Sequence, residues 1–186
     1  AAAAALVAAP APAVPTGSDD VTMEAPETSA GGAIVAVAPL SLRFAPHGHG
    51  TLKSADGGSR SGVFVRGELN GEGRGTYPDG SIYEGHFAAS VRSGSGTCTY
   101  ADSTVYKGSW QADGRHGRGL LILTGGDMFS GNFINGRPAL SGTLIYAAGG
   151  SYDGELREYR RHGWGVFQEA AGYRYEGDWQ EDERSG

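Results

Sequence analysis

Several things are scarce in this chain, and each scarcity removes a class of protein. There is one cysteine, Cys98, so no internal disulfide can form, which suits a reducing compartment. No run of about 18 apolar residues occurs, so no spanning helix is expected. Basic residues are outnumbered: 15 Lys and Arg face 21 Asp and Glu, for a net charge of −6 and a pI near 5.3. Non-specific binding to a phosphate backbone wants the opposite balance, so no nucleic-acid partner is expected. The 186 residues hold no strict Gly-X-Y triplet run, which excludes collagen.

The segment Ala1–Pro15 (AAAAALVAAPAPAVP) lacks the basic flank and Leu-rich centre of a signal peptide, and no Arg precedes Arg43, as a transit peptide would require. Residues 1–39 read as a low-complexity Ala/Pro-rich extension with little regular structure. The chain begins without Met and stops inside a repeat, as a fragment of something longer would.

What is abundant is glycine, 33 of 186 residues, roughly two and a half times the usual share. Nine Tyr, six Phe and three Trp accompany it, and aromatic rings reward burial, which argues against disorder. A turn-dense all-β chain is left.

A period of 23 residues then organises everything after about Leu40. Tyr83-Glu84-Gly85-His86-Phe87 recurs as Tyr106–Trp110, Phe129–Phe133, Tyr152–Leu156 and Tyr175–Trp179. Three glycine columns run in register with it. One is Gly48, Gly71, Gly94, Gly117 and Gly163, broken at Leu140. The second, Gly50, Gly73, Gly96, Gly119, Gly142 and Gly165, is unbroken. The third is Gly57, Gly80, Gly126, Gly149 and Gly172, broken at Ser103. Units therefore start at 60, 83, 106, 129 and 152, with a half unit before them and a cut unit from 175.

Within a unit the apolar and polar residues alternate, the pattern of a half-buried strand. A turn containing Gly94 and a second one such as Pro78-Asp79-Gly80-Ser81 fold each unit into a hairpin. Successive hairpins pair into an elongated single-layer antiparallel sheet over residues 40–186, in which Gly85, Gly108, Gly131, Gly154 and Gly177 make room for the rings beside them. At about 4.8 Å per strand a unit advances ~10 Å, and six span ~55–60 Å.

Tyr-x-Gly-x-aromatic followed by Gly-x-Gly, as in Tyr106–Gly119 (YKGSWQADGRHGRG), resembles the MORN (membrane occupation and recognition nexus) repeat. The resemblance implies a scaffold at junctions or in cytoskeletal, ciliary or flagellar (axonemal) assemblies, often dimeric, and sometimes attached to a kinase or methyltransferase domain that this sequence does not contain.

No catalytic, cofactor or metal residues stand out. Gly71-Glu72-Gly73-Arg74-Gly75 is not followed by a helix pattern, so it is no phosphate loop. His47, His116 and His162 fall in one register of turns; the nearer two are ~20 Å apart, too far for shared zinc. Cys98 takes the place of Leu121, Leu144 and Phe167 and reads as a buried apolar stand-in.

Two surfaces are candidates for binding. Arg92, Arg115 and Arg161, in the turns and interrupted by Pro138, form a positive stripe along one edge, suited to phosphoinositides or acidic protein tails. On the face opposite the rings, Leu120, Ile122, Ile145 and Val166 make an apolar patch, adjacent across neighbouring hairpins, that other proteins of a multi-subunit assembly or a second copy would bury. Ile34–Val37 and Leu40–Leu42 are alternative covers for it. Trp179, on a terminal edge strand, invites pairing with another chain. The expected role is a non-catalytic scaffold in the cytoplasm, at the cytoskeleton or in a cilium or flagellum.

Overall fold

A computed structural model describes residues 45–185. The extension 1–39 and the proposed covers Ile34–Val37 and Leu40–Leu42 lie outside the described residues. Thirteen strands follow in order. They are β1 (Gly48–Lys53), β2 (Ser59–Val65), β3 (Glu68–Thr76), β4 (Ile82–Ala88), β5 (Val91–Thr99), β6 (Val105–Gln111) and β7 (Gly114–Ile122). Then come β8 (Met128–Ile134), β9 (Arg137–Ile145), β10 (Ser151–Arg157), β11 (Arg160–Gln168), β12 (Arg174–Gln180) and β13 (Glu183–Arg184). Each pairs antiparallel with its sequence neighbour, so spatial order equals chain order in one open sheet. The single-layer array of hairpins expected from the period is what forms.

One expected turn sits elsewhere. The chain reverses not at Gly94 but at Ala89-Ser90, between β4 and β5, with φ of 50° and 64°. Ala112-Asp113, Glu158-Tyr159 and Glu181-Asp182 repeat this pair of left-handed residues, the geometry of a two-residue hairpin whose twist matches that of the strands. Gly94 lies inside β5, at a bulge. Gly85 pairs with Gly96 and Phe87 with Arg92, so His86 alone opposes Ser93, Gly94 and Ser95. The left-handed φ of 61° at Gly94 lets the strand absorb the extra length. Two extra residues leave the inside/outside alternation intact, where one would have inverted it.

The longer loops between units start at Tyr77, Tyr100, Leu123 and Tyr146. Gly80, Ser103, Gly126 and Gly149 donate their N–H back to those residues' carbonyls at 2.8–2.9 Å. All four donors have positive φ, and Ser103, at 68°, is the one with a side chain. Glycine removes that left-handed strain, so Ser103→Gly is expected to raise the unfolding free energy by about 0.5 kcal/mol, read as a higher urea midpoint with unchanged slope.

The core lies on one face. Tyr83, Phe87, Tyr106, Phe129, Phe133 and Tyr152 are fully buried there although the sheet has no second layer. They cover one another edge-to-face, with Tyr83 5.0 Å from Phe87, and Tyr106 5.2 Å from Trp110 and 4.9 Å from Phe133. Each tyrosine lies flat over the glycine pair of its own hairpin. Its hydroxyl then donates to the carbonyl three residues on: Tyr83 to His86 at 3.0 Å, Tyr106 to Ser109 at 2.9 Å, Tyr152 to Glu155 at 2.8 Å. Burial pushes the Tyr106 and Tyr152 hydroxyls up to about 12. From Gly96 to Gly165 the glycine column is thus the floor on which the rings rest.

Candidate functional site

The Arg column is not on a solvated edge. Arg92 and Arg115 are 4% and 5% exposed and face inward with the rings. The Arg92 guanidinium stacks 4.6 Å from the Trp110 ring centre and 5.1 Å from that of Tyr77. Its Nε donates to Asp113 Oδ1 at 3.0 Å and its Nη2 to the Asp113 carbonyl at 3.0 Å. The same Oδ1 accepts the Arg92 backbone N–H at 2.9 Å. Arg161 repeats the arrangement on Trp179, 4.1 Å away, and on Asp182. Arg115 lies 5.5 Å from the Phe133 ring centre and donates to the Gly136 carbonyl at 2.7 Å, with no carboxylate at the position Asp113 and Asp182 hold in other units. These guanidiniums join each strand to the next unit's turn, stacked and bonded rather than offered to anionic lipid headgroups.

Where the column is broken, the replacement is compensated. Pro138 stands in the Arg place, and Tyr159 stands in the Asp place of the following turn. The Tyr159 ring turns inward, 4% exposed, and meets Phe129 at 5.5 Å, filling space a guanidinium takes elsewhere. Its hydroxyl is buried without a hydrogen-bond partner.

Trp179 is also internal rather than on the last strand. It is 3% exposed, donates Nε1–H to the Gly165 carbonyl at 3.3 Å and pairs through its backbone with Arg184 of β13. Among the described residues β13 pairs only with Trp179 and Gln180 of β12.

On the outer face the register assembles a row that reading single units does not reveal. Ile82 pairs with Thr99, Thr99 with Val105, Val105 with Ile122, Ile122 with Met128, and Met128 with Ile145. The result is a row across six strands that is apolar without a break over the four from Val105 to Ile145, with Thr99 standing between Val105 and Ile82; most of it is half-buried, and Ile145 is 36% exposed. It gives way to Thr76, Ser59 and Lys53 on one side and to Ser151, Gln168 and Arg174 on the other. Leu120 flanks it in the next row, between Lys107 and Ser130. Val166 does not join: its neighbours are Asp153 and Glu176. Ile82, Val105 and Met128 were legible as the residues immediately before the ring column. A strand's outward neighbours only become evident once its pairing register is known.

His116 and His162 sit within β7 and β11 beside the bulges, not in turns. Among the described residues no group of three or more His, Cys, Asp or Glu is placed to hold a metal. Cys98 is fully buried with its sulfur 3.9 Å from Arg92 Nη1, and burial pushes its thiol up, away from the thiolate a nucleophile needs.

With this geometry in hand, the MORN repeat family model matches residues 45–59, 61–82, 83–105, 106–128, 152–168 and 175–186. The chain belongs to the MORN repeat family. The family is generally non-catalytic. The unit left without any match is that from 129, where Phe129, Pro138 and Leu140 replace the usual Tyr, Arg and Gly, yet β8 and β9 form there as elsewhere. No curated protein matches the sequence. Among solved structures, the chain is similar to the TCP10 domain of Danio rerio CPAP in complex with a STIL peptide. That match has 13% identity and a TM-score of 0.40, covering 72% of this chain and 65% of that one. It is also similar to the Drosophila melanogaster SAS-4 (dCPAP) TCP domain in complex with a proline-rich motif of Ana2. Here the identity is 16% and the TM-score 0.30, covering 87% of this chain and all of the other. Neither likeness bears on what this chain binds. Among the described residues no helix is long and apolar enough to cross a membrane.

Proposed function

We propose that this MORN array is a non-catalytic scaffold that holds a protein partner against its outer face, within a multi-subunit assembly. The observation that carries the reading is the apolar row Val105–Ile122–Met128–Ile145, flanked by Leu120. An apolar line on the outer face of a one-layer sheet stays partly in water, and its burial by another protein would remove it. The placement of that assembly at the cytoskeleton or in a cilium or flagellum rests on the family resemblance alone. The phosphoinositide alternative loses its supporting feature, since the Arg92, Arg115 and Arg161 guanidiniums already have partners.

The test is retention in the native assembly fraction. Leu120→Asp with Ile122→Asp is expected to reduce retention at least tenfold while leaving the far-UV circular dichroism spectrum unchanged. Val166→Asp, whose neighbours are already acidic, is expected to leave retention as it was. Full retention of the Leu120/Ile122 variant would remove the outer row from consideration.

A further inference from the structure

One buried guanidinium of the inner column is short of a counter-charge. Around Arg92 and Arg161, a single carboxylate oxygen from the next unit's turn accepts two bonds. Asp113 Oδ1 takes the Arg92 backbone N–H at 2.9 Å and its Nε–H at 3.0 Å. Asp182 Oδ1 takes the Arg161 backbone N–H at 2.9 Å and its Nε–H at 3.3 Å. Arg115 stands in the same column, and its Nη2 keeps the equivalent bond to the Gly136 carbonyl. Gly136 has no side-chain oxygen to offer the other two donors. A guanidinium only 5% exposed is thus held by the Tyr106 and Phe133 rings and one carbonyl, with no ion pair among the described residues.

A second donor in the same neighbourhood is also unmatched. Tyr159 is 4% exposed, and its hydroxyl is buried without a hydrogen-bond partner. Burial pushes the pKa of that hydroxyl up, and the charge of Arg115 acts against the rise, so the two groups feel each other across the inner face. Both can donate, and neither has an anion to donate to. A buried hydroxyl left unpaired costs free energy that an oxyanion would restore.

The sibling units show what fits and how it enters. The group they place on the backbone N–H and Nε–H is a carboxylate, whose two oxygens both take charge-assisted bonds. The Asp113 and Asp182 side chains that fill this place are 28% and 27% exposed, so it opens to solvent. Gly136 is itself buried, which limits the occupant to roughly the carboxyl end of an aspartate. We propose that Arg115 and Tyr159 form a binding site for a carboxylate that the turn at Gly136 does not supply. One oxygen lies on the Arg115 backbone N–H and Nε–H, and the Tyr159 hydroxyl donates to the other. The carboxylate is that of a small free anion or of an Asp or Glu side chain on a partner. The site lies on the face opposite the outer row and stands whether or not that row binds a protein.

The experiment follows the backbone N–H resonance of residue 115 in the full chain during titration with sodium formate, against sodium chloride at equal ionic strength. Formate should move the resonance along a saturating curve, and chloride should not. With three non-hydrogen atoms, formate is expected to bind with a Kd of about 1 mM or weaker. Tyr159→Phe, which removes the hydroxyl and keeps the ring, should weaken that binding at least threefold. Gly136→Asp should abolish the response by supplying the oxygen from within; Asp113 and Asp182 hold the same turn position at φ of 63° and 71°, against 80° for Gly136. Arg115→Leu should abolish it too, in a column where Leu69 is already accommodated. Titration with N-acetyl-aspartate N-methylamide separates the two sources. A response to it gives the site to a partner's side chain, and a response to formate alone gives it to a free anion. Three results would overturn the assignment: equal movement with chloride, a formate response that survives Arg115→Leu, or unchanged affinity in Tyr159→Phe.

Discussion

Asp113→Ser is expected to lower the unfolding free energy by about 3 kcal/mol, because it strips the carboxylate from a guanidinium that stays buried. Arg92 would keep its rings and the Asp113 carbonyl but lose the Oδ1 bond in a position only 4% exposed. Serine is the informative replacement, since Ser90 holds the equivalent turn position with the same left-handed φ, 64° against 63°. Ser90 Oγ accepts the Leu69 N–H at 2.9 Å, so the backbone bond of the motif survives the change. What differs in that unit is the strand residue: Leu69, fully buried, where Arg92 stands one unit later. The double variant Arg92→Leu/Asp113→Ser therefore rebuilds a pair the fold already accommodates. It should recover most of the loss of the single change in a urea-denaturation cycle. If the double variant is as unstable as the single one, the guanidinium's stacking on Tyr77 and Trp110, and not its charge pairing, holds this junction.

The second large effect is steric. In Gly119→Ala the new Cβ would lie 2.6 Å from Tyr106 Cζ. The ring has no room to yield: its hydroxyl is tied to the Ser109 carbonyl, and Trp110 and Phe133 press on it from both sides. Overpacking of this kind is expected to cost about 3 kcal/mol. Gly50→Ala is the matched comparison. Gly50 belongs to the same sequence column but has nothing within 4 Å of the added Cβ, since no ring lies over it. Its thermal midpoint should stay within a degree or two of the parent, while that of Gly119→Ala falls by ten or more. Equal behaviour of the two would mean that the column is fixed by backbone conformation and not by the rings.

These expectations show what the chain's period does and does not disclose. The ring columns, the glycine columns and the hairpin array follow from alternation and a 23-residue period, because in this fold every inward residue is repeated. Arg92 was legible too: counting back in twos from Cys98 through Gly96 and Gly94 puts it with the rings. Taking Gly94 for the turn removed Arg92 from the strand, and its charge then argued for solvent. Glycine in a left-handed bulge and glycine in a left-handed turn look alike in a sequence. The outer row needed register as well as period, since Ile122 and Ile145 are separated by Met128, which belongs to a different column. Pro138 was visible as a break in the Arg column; that Tyr159 answers it, ring for guanidinium, follows from the packing alone.

That exchange also has a mechanical consequence. Ser90, Asp113, Gly136 and Asp182 each donate a backbone N–H to the preceding unit, to Leu69, Arg92, Arg115 and Arg161. No such bond runs from Tyr159 to Pro138. The junction between β9 and β10 thus lacks the backbone link found at the others and, like that between β3 and β4, the guanidinium. Its pairing also stops at Glu155 and Ser141, short of the hairpin end. In a stack where every unit touches only its neighbours, tension is borne in series. Pulled between β1 and β12, the ribbon should part at this seam, releasing Ser151–Gln180 as one block before the stretch from Gly48 to Ile145 yields.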